Sequence, residues 1–285
     1  IGFLPEDRSP APLTLGILLY EMSDKRIDYI LEVQHMLMEA GHAPFFASKS
    51  LVDLSLDANR VSRLVEATEA DAWIVVAGSR SVLDWFACQN FPTFTLFGGS
   101  RDRRFAGAGP NKNLAYRECV SALLKLGHRR IVLLAKSQRR KPIPGGSEQT
   151  FLDALEEGGV EVGEYHLPDW SDRKESLLSC LDSLFKVTPP TALIIQETTV
   201  FAAVQQFLAN RGLKVPDDVS LICSDPDPTF AWCEPTIAHM TWRSRPIVRR
   251  IIRWADKISR GKEDLVKSFA NAEFIEGGSL GGAKD

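Results

Sequence analysis

The side chains best placed for chemistry in this sequence are hydrogen-bonding groups set directly after short apolar runs. Asp225 follows Val219–Cys223 (VSLIC), and the pair Gln196-Glu197 follows Ala192–Ile195 (ALII). Carboxylates and amides at such positions accept or donate to the hydroxyls of a small polyol, while an aromatic face covers its C–H side. Tyr20, at the end of Leu13–Tyr20 (LTLGILLY), is an aromatic in a similar position, and the segment Met22–Arg26 follows it. Each has a plainer reading. Asp225 suits a Ser-Asp-Pro turn; Glu197 suits the acidic start of a helix running from Val200; Tyr20 can simply pack. Trp232 and Trp242 are large aromatics of the kind more often found in cores or interfaces. Lys136, Arg139, Arg140 and Lys141 form a basic loop, either solvated or able to fork onto an anionic ligand.

Catalytic patterns are missing. His35, His42, His128, His166 and His239 have no serine, cysteine or metal partner at motif spacing. No phosphate-binding lysine loop and no G-x-G-x-x-G opens a helix; Gly145-Gly146 is a turn before a helix and only weakly suggests an anion site. Neither a catalytic role nor a cofactor nor a metal is therefore expected. The five cysteines (Cys88, Cys119, Cys180, Cys223, Cys233) are scattered and odd in number, as expected of buried thiols in a reducing cytoplasm. A net charge of −3 gives the chain as a whole no basic character with which to neutralise DNA phosphates. No apolar run reaches the roughly 18 residues of a membrane span. The sequence starts at Ile1 and is read as part of a longer protein, whose preceding segment would be either a leader or a further domain.

The elements needed to position these residues alternate. Apolar runs at 13–20, 43–47, 72–77 and 93–97 are separated by helical patterns at 28–40, 58–68 and 81–89. The pattern restarts with a helix at 111–126, strands at 131–135, 192–195 and 219–223, and helices at 147–158, 174–185 and 200–211. A weak strand at 165–167, a piece at 240–242, the long helix 246–259 and an extended stretch near 268–275 complete it. Strand–helix alternation with short connections demands a parallel sheet covered on both faces. The reading is therefore α/β, with two doubly wound parallel-sheet lobes: a tether at 1–13, a first lobe of 14–126 plus about 243–262, and a second of 127–242 plus about 263–280. Ligands of such sheets bind beyond the carboxyl ends of the strands, which places the expected site in a cleft between the lobes.

Several segments occur together in one order. They are Leu126-Gly127-His128-Arg129-Arg130-Ile131, then Pro190-Thr191-Ala192 leading to Ile195-Gln196-Glu197, then Gly212-Leu213-Lys214-Val215-Pro216-Asp217-Asp218-Val219-Ser220 before Ser224-Asp225. This series resembles the lactose-repressor (LacI/GalR) family over about residues 14–278. The resemblance implies a periplasmic-binding-protein-like (type I) core that dimerises, binds a sugar or sugar derivative, and contacts DNA only through an N-terminal head missing from this chain. That head would be a helix-turn-helix or, as in similar regulators, a winged helix. The implied ligand set is Tyr20, Arg26, Asn111, Arg139, Ser147, Trp170, Gln196, Glu197, Asp225 and Trp242. Trp170 is similar to a tryptophan lining the family's effector pocket, or else a half-buried surface aromatic. Two departures put the usual ligand class in doubt: Ser147 stands where many members carry an arginine, and Asn111 where they often carry Asp. In the family the dimer interface is built from helices of both lobes, which implies faces at Ile30-Val33-Leu37 and at Leu177-Leu181-Leu184, although both equally suit an internal core. The alternative is a monomeric periplasmic sugar receptor of an uptake system.

Overall fold

The computed structural model describes residues 11–98 and 103–284. The first ten residues of the expected tether, and Gly99 at the end of the fourth expected strand, lie outside them. The elements run β1 (Thr14–Leu18), α1 (Asp28–Glu39), β2 (Ala43–Phe46), α2 (Ala58–Glu66), β3 (Ala72–Val76), α3 (Arg80–Ala87), β4 (Thr93–Leu96) and β5 (Ala106–Asn111). They continue with α4 (Asn113–Lys125), β6 (Ile131–Leu134), a short α5 (Ser137–Arg140), α6 (Gly146–Glu157), α7 (Lys174–Val187), β7 (Ala192–Ile195), α8 (Thr198–Asn210) and β8 (Ser220–Cys223). Last come β9 (Ala238–Thr241), α9 (Arg245–Ser259), β10 (Lys267–Asn271) and β11 (Glu273–Ile275). The fold is α/β with two parallel-dominated sheets, as the alternation required.

The chain forms two compact units. One comprises the residues up to Pro110 with Arg243–Ala270, and the other Asn111–Trp242 with the residues from Asn271 on. The boundary thus falls at Pro110–Asn111, whereas the first lobe was expected to run to 126. Helix α4 belongs to the second unit because Tyr116, Cys119, Val120 and Leu123 are buried among Phe151, Leu155 and Ile131. Residues 263–270 belong to the first, where β10 adds to β5 at the sheet edge.

In the first unit the sheet order is β10-β5-β4-β3-β1-β2, with β1 to β5 mutually parallel. Helix α1 buries Ile30, Val33 and Leu37 inside this unit and packs on α9, so the first expected dimer face is core. It ends at Gly41, whose φ of +86° a residue with a Cβ rarely adopts. Caps start two helices: Asp57 accepts the Arg60 amide at 2.9 Å and Ser79 accepts that of Val82 at 3.4 Å.

The second unit's sheet runs β11-β9-β8-β7-β6, with β6 to β9 parallel and β11 antiparallel to β9. Alternate residues serve opposite faces. Ile131 and Leu133 join a core with α4 and α6, while Val132 and Leu134 join another with α7 and α8. Leu177, Leu181 and Leu184 lie in that second core, so the other expected dimer face is also internal. The weak strand expected at 165–167 forms no ladder. The Leu133 amide does donate to the His166 carbonyl at 2.8 Å, beside the β6 edge.

Candidate functional site

Because β6, β7, β8 and β9 are parallel, their carboxyl ends reach one edge of the sheet. The residues that follow them are Lys136, Gln196-Glu197, Ser224-Asp225 and Trp242. Helix α4 starts at Asn113, directly after Lys112, and brings that lysine to the same edge. The Lys112 ammonium pairs with Asp225 Oδ1 and lies 4.7 Å from the centre of the Trp242 ring. Lys136 pairs with Glu197 at 2.8 Å. Glu197 is the cap position of α8, but its side chain makes no cap hydrogen bond.

Behind these pairs lies a buried polar cluster. Glu148 is wholly shut off from solvent; its Oε1 accepts from Gln196 Nε2, and its Oε2 has no partner. Arg139 Nε stands 3.9 Å from Oε1. Ser224 Oγ donates to the Gln196 carbonyl at 3.4 Å. The Tyr116 hydroxyl, also fully buried, has no well-formed hydrogen bond. Burial pushes its pKa far up, with the negative charge of Glu148 adding to the effect. Beside Asp225, burial first and that carboxylate second push the Cys223 thiol up to about 12, so it carries no thiolate near neutrality.

The expected residues are placed as follows. Asp225 and Trp242 meet through Lys112; Gln196 and Arg139 both approach Glu148; Glu197 is bound to Lys136. Ser147 is half-buried beside Glu148 in the first turn of α6. Asn111 ends β5, where its Oδ1 accepts the Asn113 amide at 3.3 Å and its Nδ2 donates to Asn271 Oδ1 at 3.5 Å. Trp170 is only 5% exposed and packs among Leu134, Leu177 and Ile195, on the face of the sheet away from Tyr116; its Nε1 is buried without a partner. It is therefore no surface aromatic. Tyr20 and Arg26 belong to the first unit. Tyr20 is 6% exposed among Leu18, Leu51 and Trp73, and Arg26 is exposed at the end of a short 3-10 helix over Met22–Arg26. Trp232 is 90% exposed.

Within the basic loop, Arg140 is structural. It donates to the Ala135 carbonyl at 2.8 Å, to Asp169 at 2.6 Å and to the Trp170 carbonyl. Hydrogen bonds from Lys141 and then Arg140 hold Asp169 below the usual carboxylate range. Sequence reasoning missed Lys112, Tyr116 and Glu148. For Glu148 a signal existed: it precedes Phe151 and Leu155 by three and seven residues, the spacing of one helix face. No cluster of three or more His, Cys, Asp or Glu able to hold a metal occurs among the described residues, and none of their helices is long and apolar enough to cross a membrane.

The chain belongs to the periplasmic binding protein-like domain family, whose profile matches residues 120–280. Its fold is the one seen in solved LacI-type regulators. It is 29% identical over 159 residues to the HTH-type transcriptional regulator EndR of Paenibacillus polymyxa, covering 54% of this chain and 46% of that protein. The chain spans about half the length of the curated relatives it matches. A LacI-type transcriptional regulator from Bacillus cereus subsp. cytotoxis has the same fold, with a TM-score of 0.78 and 17% identity over 96% of this chain and all of the other. So has a LacI family regulator from Enterococcus faecium with bound ribose, with a TM-score of 0.74 and 14% identity over 95% of this chain and all of that one.

Proposed function

We propose that this chain is the effector-sensing and dimerising core of a cytoplasmic transcription regulator. Its ligand would be a small polar molecule, a sugar or sugar derivative, held against the carboxyl edge of β6–β9. The observation that carries the proposal is the joining of Lys112, Asp225 and the Trp242 ring at that edge, backed by a buried cluster whose Glu148 Oε2 lacks a partner and whose Tyr116 hydroxyl has only poorly aligned neighbours in Ser224 and Gln196. Buried polar groups are normally satisfied, so an unmet acceptor and a poorly satisfied hydroxyl behind an aromatic face suit a hydroxyl-rich ligand. The regulator reading is preferred to an uptake receptor because both curated relatives are transcriptional regulators. Effector binding would shift the population of two core conformations, and a DNA-binding head preceding the core would respond.

A thermal-shift panel of ribose, cellobiose, sugar phosphates and sugar acids tests this, because a ligand that binds only the folded state raises Tm. At least one compound is expected to do so, and the Asp225→Ala chain to lose the response. A flat response across the panel, or an unchanged response in that variant, overturns the site. Alanine variants of Tyr20 and Arg26 test whether the first unit contributes as well.

A further inference from the structure

We infer that the outer face of α9 is a contact surface for the phosphate backbone of duplex DNA, engaged without regard to base sequence. The chain carries a net charge of −3, yet eight Lys and Arg stand between 243 and 262 against Asp256 alone. The helical repeat sorts them. Arg245, Arg249, Arg253 and Lys257 are four residues apart and Arg260 is three further on, so they share one face. All five are exposed, while Ile247, Ile251, Trp254 and Ala255 bury the other face. Like charges at this spacing repel one another, so the row is kept against a local cost.

Little neutralises it. Arg245, Arg249, Arg253 and Arg260 form no ion pair among the described residues; Lys257 reaches Asp264 at 3.2 Å, and Asp256 lies 3.8 Å from His42. No large apolar side chain of α9 is exposed, so the face lacks the aromatic or apolar centre expected where a protein docks. Four of the five are arginines, whose planar fork suits phosphate oxygens, and a basic row along one helix is the footprint of backbone binding. The Ala11 amide donates to the Ser259 carbonyl at 3.3 Å, so whatever precedes residue 11 starts from the end of this helix. The inference rests on the regulator reading in one respect: a DNA-binding head on that segment would bring a duplex alongside α9.

The test is fluorescence anisotropy of the 285-residue chain with a labelled random-sequence duplex of about 30 base pairs, between about 50 and 200 mM salt. Binding is expected to weaken steeply with salt. Arg249→Gln/Arg253→Gln should lower the slope of log Kobs against log salt by about two, and Arg249→Glu/Arg253→Glu should abolish binding with the melting profile retained. Absence of salt-dependent binding by the parent, or variants that bind like it, overturns the inference. So does capture of polyglutamate but not DNA, which would make the row a site for an acidic protein. A thermal shift with sugar alongside absent DNA binding defeats this inference alone; the reverse pattern defeats only the effector site.

Discussion

Gln196 donates its side-chain amide to Glu148 Oε1, a carboxylate shut off from solvent whose second oxygen is left without a partner. A carboxylate so placed is costly to bury. Its presence therefore argues for recognition rather than stability.

Glu148→Ala should destabilise the fold by about 1–3 kcal/mol, because the Gln196 amide loses its acceptor. The double change Glu148→Leu/Gln196→Leu should stay within about 1 kcal/mol of the parent or exceed it, since donor and acceptor go together and the unpartnered oxygen goes with them. That double variant should also lose its ligand-induced thermal shift. Urea unfolding of the three proteins decides: a large loss in the double variant would make the pair a structural element.

Asp225 is part-exposed but its partner Lys112 has only 11% of its side chain exposed, so Asp225→Ala should cost about 1–3 kcal/mol by leaving that ammonium unpaired, with the fold retained. Ligand affinity should nonetheless fall at least tenfold, about 1.4 kcal/mol. Calorimetric titration beside a melting curve separates the two effects.

Arg250 and Asp264 form a buried pair at 2.6 Å in the first unit. Burial raises the Asp264 pKa, but the Val266 amide and the charges of Arg250 and Lys257 outweigh it, and the net shift is downward. A carboxylate depressed in the folded state binds fewer protons there than in the unfolded chain. Its contribution is thus complete above the ordinary carboxylate pKa of about 4 and is lost as pH falls through the depressed value. Asp264→Asn should cost about 3–5 kcal/mol at neutral pH by leaving Arg250 uncompensated. The difference between variant and parent should shrink in acid, as read from urea midpoints across pH.

Gly16 lies in β1 with the Trp73 indole so near that an added Cβ would stand 2.7 Å from it. Trp73 is itself buried and cannot swing away. Gly16→Ala should therefore cost about 1–3 kcal/mol through overpacking, visible as a lower Tm, whereas Gly146→Ala, with open space around it, should leave Tm unchanged.

The sheets and most helices were legible because burial writes itself into period. Runs such as IVLL and ALII are covered on both faces, and Ile30-Val33-Leu37 marks one side of a helix. Strand β5 escaped because Ala-Gly-Ala-Gly-Pro-Asn carries almost no apolar bulk, and its neighbours supply the packing. The boundary at Pro110 was hidden for the same reason. Of the site, Asp225, Gln196 and Glu197 were visible as polar residues ending apolar runs. Lys112 was not, because its role depends on β8 and β9, more than a hundred positions away. The outward face of α9 was hidden behind net charge, which averages a basic row against an acidic remainder.

The stretch from Asn271 onward has a temporal consequence. Ser279 Oγ donates to the Leu221 carbonyl at 2.6 Å and accepts the Ala238 amide at 2.8 Å, and the Gly281 carbonyl lies 2.9 Å from the His128 ring. These clasps, with β11 alongside β9, come from residues the ribosome makes after everything they hold. During synthesis β6 to β9 must wait, incompletely stitched, through some thirty intervening residues that build the other unit. A chain truncated just after Asn271 would therefore leave the β9 edge of the second sheet unpaired and open to proteases and chaperones, while the first unit already had all its strands.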